Sequence, residues 1–139
     1  MNKLKRFQPE LVIQAFPETY RGNPAKINKG QCFRWAFIAY NLFEDVELWS
    51  YGIHAFVKVE KKFYDSERLQ GEEDWKDLPA CNFGKGCGNL YCISCKKARS
   101  VSLDTFQEKW GPFYHRPWHL YQQAAEDLLQ RKNNELATQ

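Results

Sequence analysis

Three residues whose side chains could together perform thiol chemistry occur in order in the first half of the chain: Cys32, His54 and Asp65. A cysteine attacks as its thiolate, and a helix N-terminus and a neighbouring imidazolium both favour that form. The imidazole needs a further group that fixes its orientation. We therefore expect a nucleophilic cysteine, a histidine acid–base partner and an aspartate that orients the histidine.

Each of these residue types is more common in a structural role. A cysteine on an apolar helix is most often simply buried. A histidine at the start of a strand is most often a hydrogen-bonded rim residue, and an aspartate after a strand most often caps a turn. It is the order and spacing of all three that favour a catalytic site.

Hydrophobic periodicity predicts the elements that would position these residues. From Gln31 to Phe43 apolar residues recur on nearly every side, which is typical of a buried helix. Gly30 precedes the helix, where a tight turn often needs a residue without Cβ. Cys32 would then lie in the first helical turn.

Strands are predicted for Val46–Tyr51 and His54–Glu60, which join near Gly52. In the second strand Ala55, Val57 and Val59 face one way, and the residues between them face the other. A tight turn is predicted at Lys61-Lys62, and Phe63–Asp65 would return as a third strand. If the second and third strands form an antiparallel hairpin, the histidine and the aspartate lie at the same open end.

The other segments give weaker patterns. The predictions are a short helix or strand over Leu11–Phe16, a surface connection over residues 17–30, an exposed charged stretch over Glu67–Asp77, a helix from Ser102 to Trp110, a last helix with Pro117 in its first turn, and a frayed tail beyond Arg131.

Two motifs resemble one protein family. Gly30-Gln31-Cys32-Phe33-Arg34-Trp35-Ala36 resembles the Gly-Gln-Cys-aromatic-x-aromatic-Ala stretch around the transglutaminase nucleophile. His54–Val59, closed by Phe63-Tyr64-Asp65-Ser66, resembles the second signature, in which a histidine opens one strand and an aspartate ends the next. The resemblance covers residues 30 to 66, about a quarter of the chain.

The resemblance implies a transglutaminase-like branch of the papain-like superfamily, whose members include amide-cleaving hydrolases and acyl-transfer enzymes. It assigns the three catalytic roles to Cys32, His54 and Asp65. The chain is far smaller than animal transglutaminases and its Cys-to-His interval is short, so full cross-linking activity is not implied. A backbone N–H at the cysteine is the expected oxyanion donor.

Four further cysteines are spaced C-x5-C-x4-C-x2-C: Cys81, Cys87, Cys92 and Cys95. Four thiolates form a standard structural zinc shell, and interleaved glycines allow tight turns around a metal. We predict structural zinc here, with His115 or His119 as a substitute for one cysteine. Disulfides in an exported protein, unconnected thiols and a redox-active Cys92/Cys95 pair remain alternatives.

Composition predicts one α+β domain over residues 1–139. Its parts are a papain-like or transglutaminase-like core (28–66) with the cysteine helix on a small antiparallel sheet, a Cys-rich loop (81–99) and C-terminal helices (102–133). A net charge of +3 does not favour nucleic-acid binding. The sequence has neither a signal peptide nor a run of ~18 apolar residues, so a cytoplasmic protein without membrane contact is expected.

Two functions follow as hypotheses. The first is a thiol-dependent hydrolase or acyl transferase acting on an amide, with a protein or peptide as substrate. The second is an inactive papain-like module whose zinc loop recognises a protein or a nucleic acid, because members of one fold need not share turnover.

Overall fold

A computed structural model describes residues 3–52, 54–81, 98–111 and 118–137. In chain order its elements are a 3-10 helix (Pro9–Ala15), α1 (Pro24–Asn28), α2 (Cys32–Leu42), β1 (Val46–Tyr51), β2 (His54–Val59), β3 (Lys62–Asp65), β4 (Arg68–Glu72), two 3-10 turns (Trp75–Asp77 and Pro79–Cys81), β5 (Arg99–Val101), α3 (Leu103–Trp110) and α4 (Trp118–Ala137).

The five described strands form one antiparallel sheet in the order β4-β3-β2-β1-β5. β1 and β2 pair along their whole length, from Val46 opposite Val59 to Tyr51 opposite His54. The predicted α+β class with a small antiparallel sheet and several helices is confirmed.

The turn between β2 and β3 lies one residue earlier than predicted. Val59 pairs with Lys62, so the turn residues are Glu60 and Lys61, and the prediction of Lys61-Lys62 is wrong. A two-residue hairpin turn matched to strand twist needs a positive φ at its first central residue. Glu60 has a φ of 57°. Glutamate rarely adopts a positive φ, so the sequence did not indicate a turn at this position.

α2 is the central element of the core. Nine of its eleven residues are buried, which confirms the prediction of a helix that is apolar nearly all round. It packs against β1 and β2 of the sheet and against α4 and the first 3-10 helix. Ala55, Val57 and Val59 of β2 belong to this core, on the face that alternation assigned to them.

A second, smaller apolar cluster covers the opposite face of the sheet. Its buried members are Tyr51, Phe56, Phe63, Leu78, Cys81 and Ala98. Leu78 lies between the two 3-10 turns, Cys81 ends the second turn, and Trp75 packs against the cluster. The sheet therefore has buried apolar side chains on both faces.

Three elements differ from the sequence-based expectations. β4 lies within the stretch that was expected to be exposed and charged. Edge strands commonly carry charged side chains, so the composition of this stretch did not distinguish a strand from a loop. α1 lies within the expected connection; at five residues, with Pro24 in its first turn and Asn23 as its cap, it is too short for a periodic signal. α4 remains helical to Ala137, beyond the point where fraying was expected.

Candidate active site

The hairpin of β2 and β3 brings His54 and Asp65 together. Nε2 of His54 lies 3.0 Å from Oδ2 of Asp65. The histidine is 3% exposed and the aspartate 1%, so the contact is shielded from water. Val57 pairs with Tyr64, so the next position along both strands sets Asp65 opposite Phe56. His54 is two residues before Phe56 in β2 and therefore projects from the same face as Asp65, diagonally across the open end.

Asp65 is held by several donors besides the histidine. The backbone N–H groups of Glu67 and Arg68 donate to its Oδ1 at 2.9 and 3.0 Å. Nδ2 of Asn28 lies 3.3 Å from Oδ2. The carboxylate therefore caps the turn after its own strand and also bonds the imidazole, so the structural and the catalytic interpretations of this residue are compatible.

Asn28 is a site residue that the sequence did not single out. Its Nδ2 also donates to Oε1 of Glu67 at 2.8 Å, and its Oδ1 accepts from Oγ of Ser66 at 3.1 Å. Oγ of Ser66 also donates to the carbonyl oxygen of Pro24. The short helix α1 thus fixes the end of β3. The only sequence signal for Asn28 is that it lies four residues before Cys32.

Cys32 is the first residue of α2, as the predicted first-turn position requires. Its sulfur accepts a hydrogen bond from the backbone N–H of Ala55 at 3.4 Å. Because Ala55 follows His54 directly in β2, this bond fixes the sulfur beside the residue that carries the imidazole. Cys32 is 4% exposed.

The electrostatics of the His54 ring connect it to both partners. Burial would lower its pKa, but hydrogen bonds with Asp65 and Cys32, and the charges of those two groups, outweigh burial and raise the pKa to about 9. Nε2 is occupied by the aspartate, and no nitrogen or oxygen atom of the described residues bonds to the buried Nδ1. The ring also stacks on Phe56 at 5.6 Å between centroids, which restricts its rotation.

Cys81 is the one predicted zinc ligand among the four cysteines that the structure describes. It is a buried free thiol on the sheet face that carries Phe56. Burial, followed by the negative charges of Asp65 and Cys32, raises the pKa of this thiol to about 12. Cys81 is thus close enough to Asp65 and Cys32 for electrostatic interaction.

Of the other predicted ligands, the structure describes His119 alone. Cys87, Cys92 and Cys95, together with the alternative ligand His115, lie outside the described residues. His119 is exposed on α4. Within the described parts of the chain, no three His, Cys, Asp or Glu side chains are grouped so that they could hold a metal ion.

No protein-family model, curated protein or solved structure matches this chain. The resemblance to transglutaminase-like proteins therefore depends on the two motifs alone. Of the helices that the structure describes, none combines the length and the apolar character needed to cross a bilayer.

Proposed function

We propose that this protein is a thiol-dependent hydrolase or acyl transferase acting on an amide. The observation that carries the proposal is the His54 ring, which bonds Asp65 through Nε2 and also interacts with the sulfur of Cys32. A cysteine at a helix start, packed on antiparallel strands that carry the other two residues, is consistent with the papain-like core that the motifs imply.

In the first step the Cys32 thiolate attacks the amide carbonyl carbon. A C–S bond forms, and the carbonyl π electrons move to the oxygen. His54, with its raised pKa of about 9, carries a proton at neutral pH. It donates this proton to the departing nitrogen as the C–N bond breaks, which leaves an acyl-enzyme and a neutral amine.

In the second step water or another amine resolves the acyl-enzyme. His54 accepts a proton from the incoming nucleophile, the nucleophile bonds to the acyl carbon, and the C–S bond breaks to return the thiolate. Asp65 keeps the ring oriented and stabilises its positive form through the 3.0 Å bond. Hydrolysis and transfer share all of these steps.

The N-terminal turn of α2 supplies the oxyanion donor in this proposal. Cys32 is the first residue of the helix, and N–H groups in a first turn have no acceptor within their own helix. In this proposal the backbone N–H of the nucleophile donates to the negative charge that develops on the substrate oxygen.

The test measures the rate of Cys32 alkylation by iodoacetamide against pH, in the native protein and in His54→Ala. A cysteine without a cationic partner is only ~1% thiolate at about pH 6.5. We therefore expect rapid alkylation of the native protein at that pH, and a rate lower by up to ~100-fold in His54→Ala. His119→Ala, which changes an exposed histidine on α4, is the matched control and should leave the rate unchanged.

A second candidate is the non-catalytic binding module, and the low exposure of Cys32, 4%, is the observation that favours it. It requires slow alkylation in both the native protein and His54→Ala. That result would exclude the enzyme and leave the module.

We also propose a structural zinc ion bound by Cys81, Cys87, Cys92 and Cys95. The buried position of Cys81 fits such a role, because structural zinc sites are closed to solvent. The ion would anchor the segment after the second 3-10 turn to the sheet face near the three site residues, and it would take no part in the reaction.

A further inference from the structure

Lys109 connects α3 to the sheet near the candidate site. Its Nζ donates to Oγ of Ser50 in β1. Ser50 is buried, while Lys109 is partly buried. The serine oxygen therefore holds the ammonium group against the sheet.

Two contacts connect the residue that binds this ammonium group to the sulfur of Cys32. Ser50 lies directly opposite Ala55 in the β1–β2 ladder, so their side chains project from the same face. Ala55 is the residue whose backbone N–H donates to the sulfur at 3.4 Å. The cation is thus bonded to the cross-strand neighbour of the residue that holds the nucleophile.

The C-terminal end of α3 and the first turn of α2 pack against each other beside Lys109. Trp110, the last residue of α3, stacks on Phe33 with ring centroids 6.2 Å apart. Phe33 directly follows Cys32, so the end of α3 packs against the first turn of α2. Nζ of Lys109 lies 5.2 Å from the centre of the Trp110 ring, and the lysine therefore belongs to this junction.

A second cationic residue lies beside Ser50. Arg99 in β5 is directly opposite Ser50, on the other side of β1 from β2. Residues directly opposite each other in paired strands project from the same face, so Lys109 and Arg99 are two basic residues on the two sides of Ser50. Asp104 and Glu108 of α3 carry the opposite charge, so the attraction for anions is local to these two basic residues.

We infer that Lys109, supported by Arg99, binds an anionic group of the substrate, so that the preferred substrate carries a carboxylate beside the amide that Cys32 attacks. This inference rests on the proposed function and names its substrate class. A lysine ammonium acts on a carboxylate as a point charge with several donors, so it selects for charge and tolerates variation in shape.

The test compares two alkylating agents of nearly equal size, neutral iodoacetamide and anionic iodoacetate, on the native protein and on Lys109→Gln. Their rate ratio cancels any change in the intrinsic reactivity of the thiol. Glutamine is nearly as long as lysine and also carries an N–H donor, so the variant removes the charge and retains a group that can donate to Ser50. We expect the iodoacetate rate to fall by up to ~10-fold and the iodoacetamide rate to change little.

Two further variants sharpen the comparison. Lys109→Arg should restore the native ratio, because it returns the charge. Lys132→Gln, which removes a lysine that pairs with Glu135 on α4, should leave the ratio unchanged. An unchanged ratio in Lys109→Gln, or an equal fall in Lys132→Gln, would overturn the inference.

A binding measurement separates this inference from the proposed function. Glutarate, a small dicarboxylate, is titrated into native protein and Lys109→Gln while backbone amide NMR shifts are followed. We expect saturable shifts in α3 and β1 that are absent from the variant and weaken at about 0.5 M salt. If Cys32 resists both alkylating agents, the catalytic proposal fails while this titration still decides on the anion site. Equal binding to both proteins, or binding to neither, refutes the site.

Discussion

At the scale of single residues, Asp65 shows how one carboxylate can serve the fold and the site together. Its Oδ1 accepts the backbone N–H groups that shape the turn into β4, and its Oδ2 accepts from the histidine. Separate oxygens perform the two tasks, so neither bond has to break for the other to form. The hydrogen bonds that hold the Asp65 carboxylate should therefore affect both the stability of the fold and the reactivity of Cys32.

Asn28→Ala tests that support. The substitution removes the amide that donates to Asp65 and Glu67 and leaves their oxygens with one partner fewer. We expect a loss of about 1–3 kcal/mol in the free energy of unfolding, measured by urea denaturation. We also expect several-fold slower alkylation of Cys32 near neutral pH, because Asp65 orients His54 less well.

Asn41→Ala is the matched control for Asn28→Ala. Asn41 donates to the carbonyl of Phe37 within α2, so its loss should cost stability and leave the alkylation rate unchanged. If both variants lose stability and neither alters the rate, Asn28 has only a structural role.

Much of the site could be predicted from the sequence, and the rest depended on contacts distant in sequence. Cys32 and its partners lie in motifs whose local pattern also sets helix and strand. Asn28 acquires its role only from a contact with a residue 37 positions later. A single sequence holds no signal for such a pair, and an asparagine in a Pro- and Gly-containing stretch is typical of a surface loop.

At the scale of elements, the pairing of β3 with β4 is irregular. Phe63 pairs with Glu72 and Asp65 with Arg68, so extra residues of β4 are accommodated by a bulge. Gly71 lies in this bulge with a φ of +83°. A Cβ there would lie 2.7 Å from the ring of Tyr64, so both the conformation and the space require glycine.

Gly71→Ala should therefore destabilise the protein by about 1–3 kcal/mol in urea denaturation, through backbone strain and displacement of the Tyr64 ring. Gly30→Ala is the matched control, since a Cβ at that position meets no atom within 4 Å and no positive φ is required. Equal stabilities of the two variants would contradict the described geometry of the bulge.

The elements differ in how well the sequence predicts them, because some are specified by their own residues and others by their pairing. α2, β1 and β2 have long apolar repeats that their own residues specify, and their predicted bounds agree with the structure within one or two residues. β4 is a half-exposed edge strand next to a bulge, and its placement depends on pairing with β3. Its register therefore follows from tertiary contacts rather than from periodicity.

At the scale of the whole molecule, the proposed zinc ion should stabilise the fold. Protein purified without added metal is expected to contain about one equivalent of zinc, to lose it in Cys92→Ser, and to unfold at lower urea concentration in that variant. Metal analysis by mass spectrometry measures the first two outcomes. A folded protein that contains no metal would refute the zinc proposal and leave the catalytic proposal untouched.

The pH dependence of global stability tests the site without any substrate. The pKa of His54 is raised from 6.5 to about 9 in the folded protein. The folded state therefore holds a proton more tightly than the unfolded chain does. Its stabilising contribution is complete below about pH 6.5 and is lost as the pH rises toward about 9. One pKa unit corresponds to ~1.4 kcal/mol, so the loss is at most on the order of 3 kcal/mol.

Urea denaturation at a series of pH values across that window measures the effect. The native protein should lose stability steadily from about pH 6.5 to about pH 9. His54→Gln removes the titrating ring, so its stability should vary much less with pH even if its absolute value is lower. His119→Gln alters an exposed histidine on α4 and should retain the native slope. A native protein whose stability is flat or rises across this window would show that His54 does not carry the bound proton that the acid–base step requires.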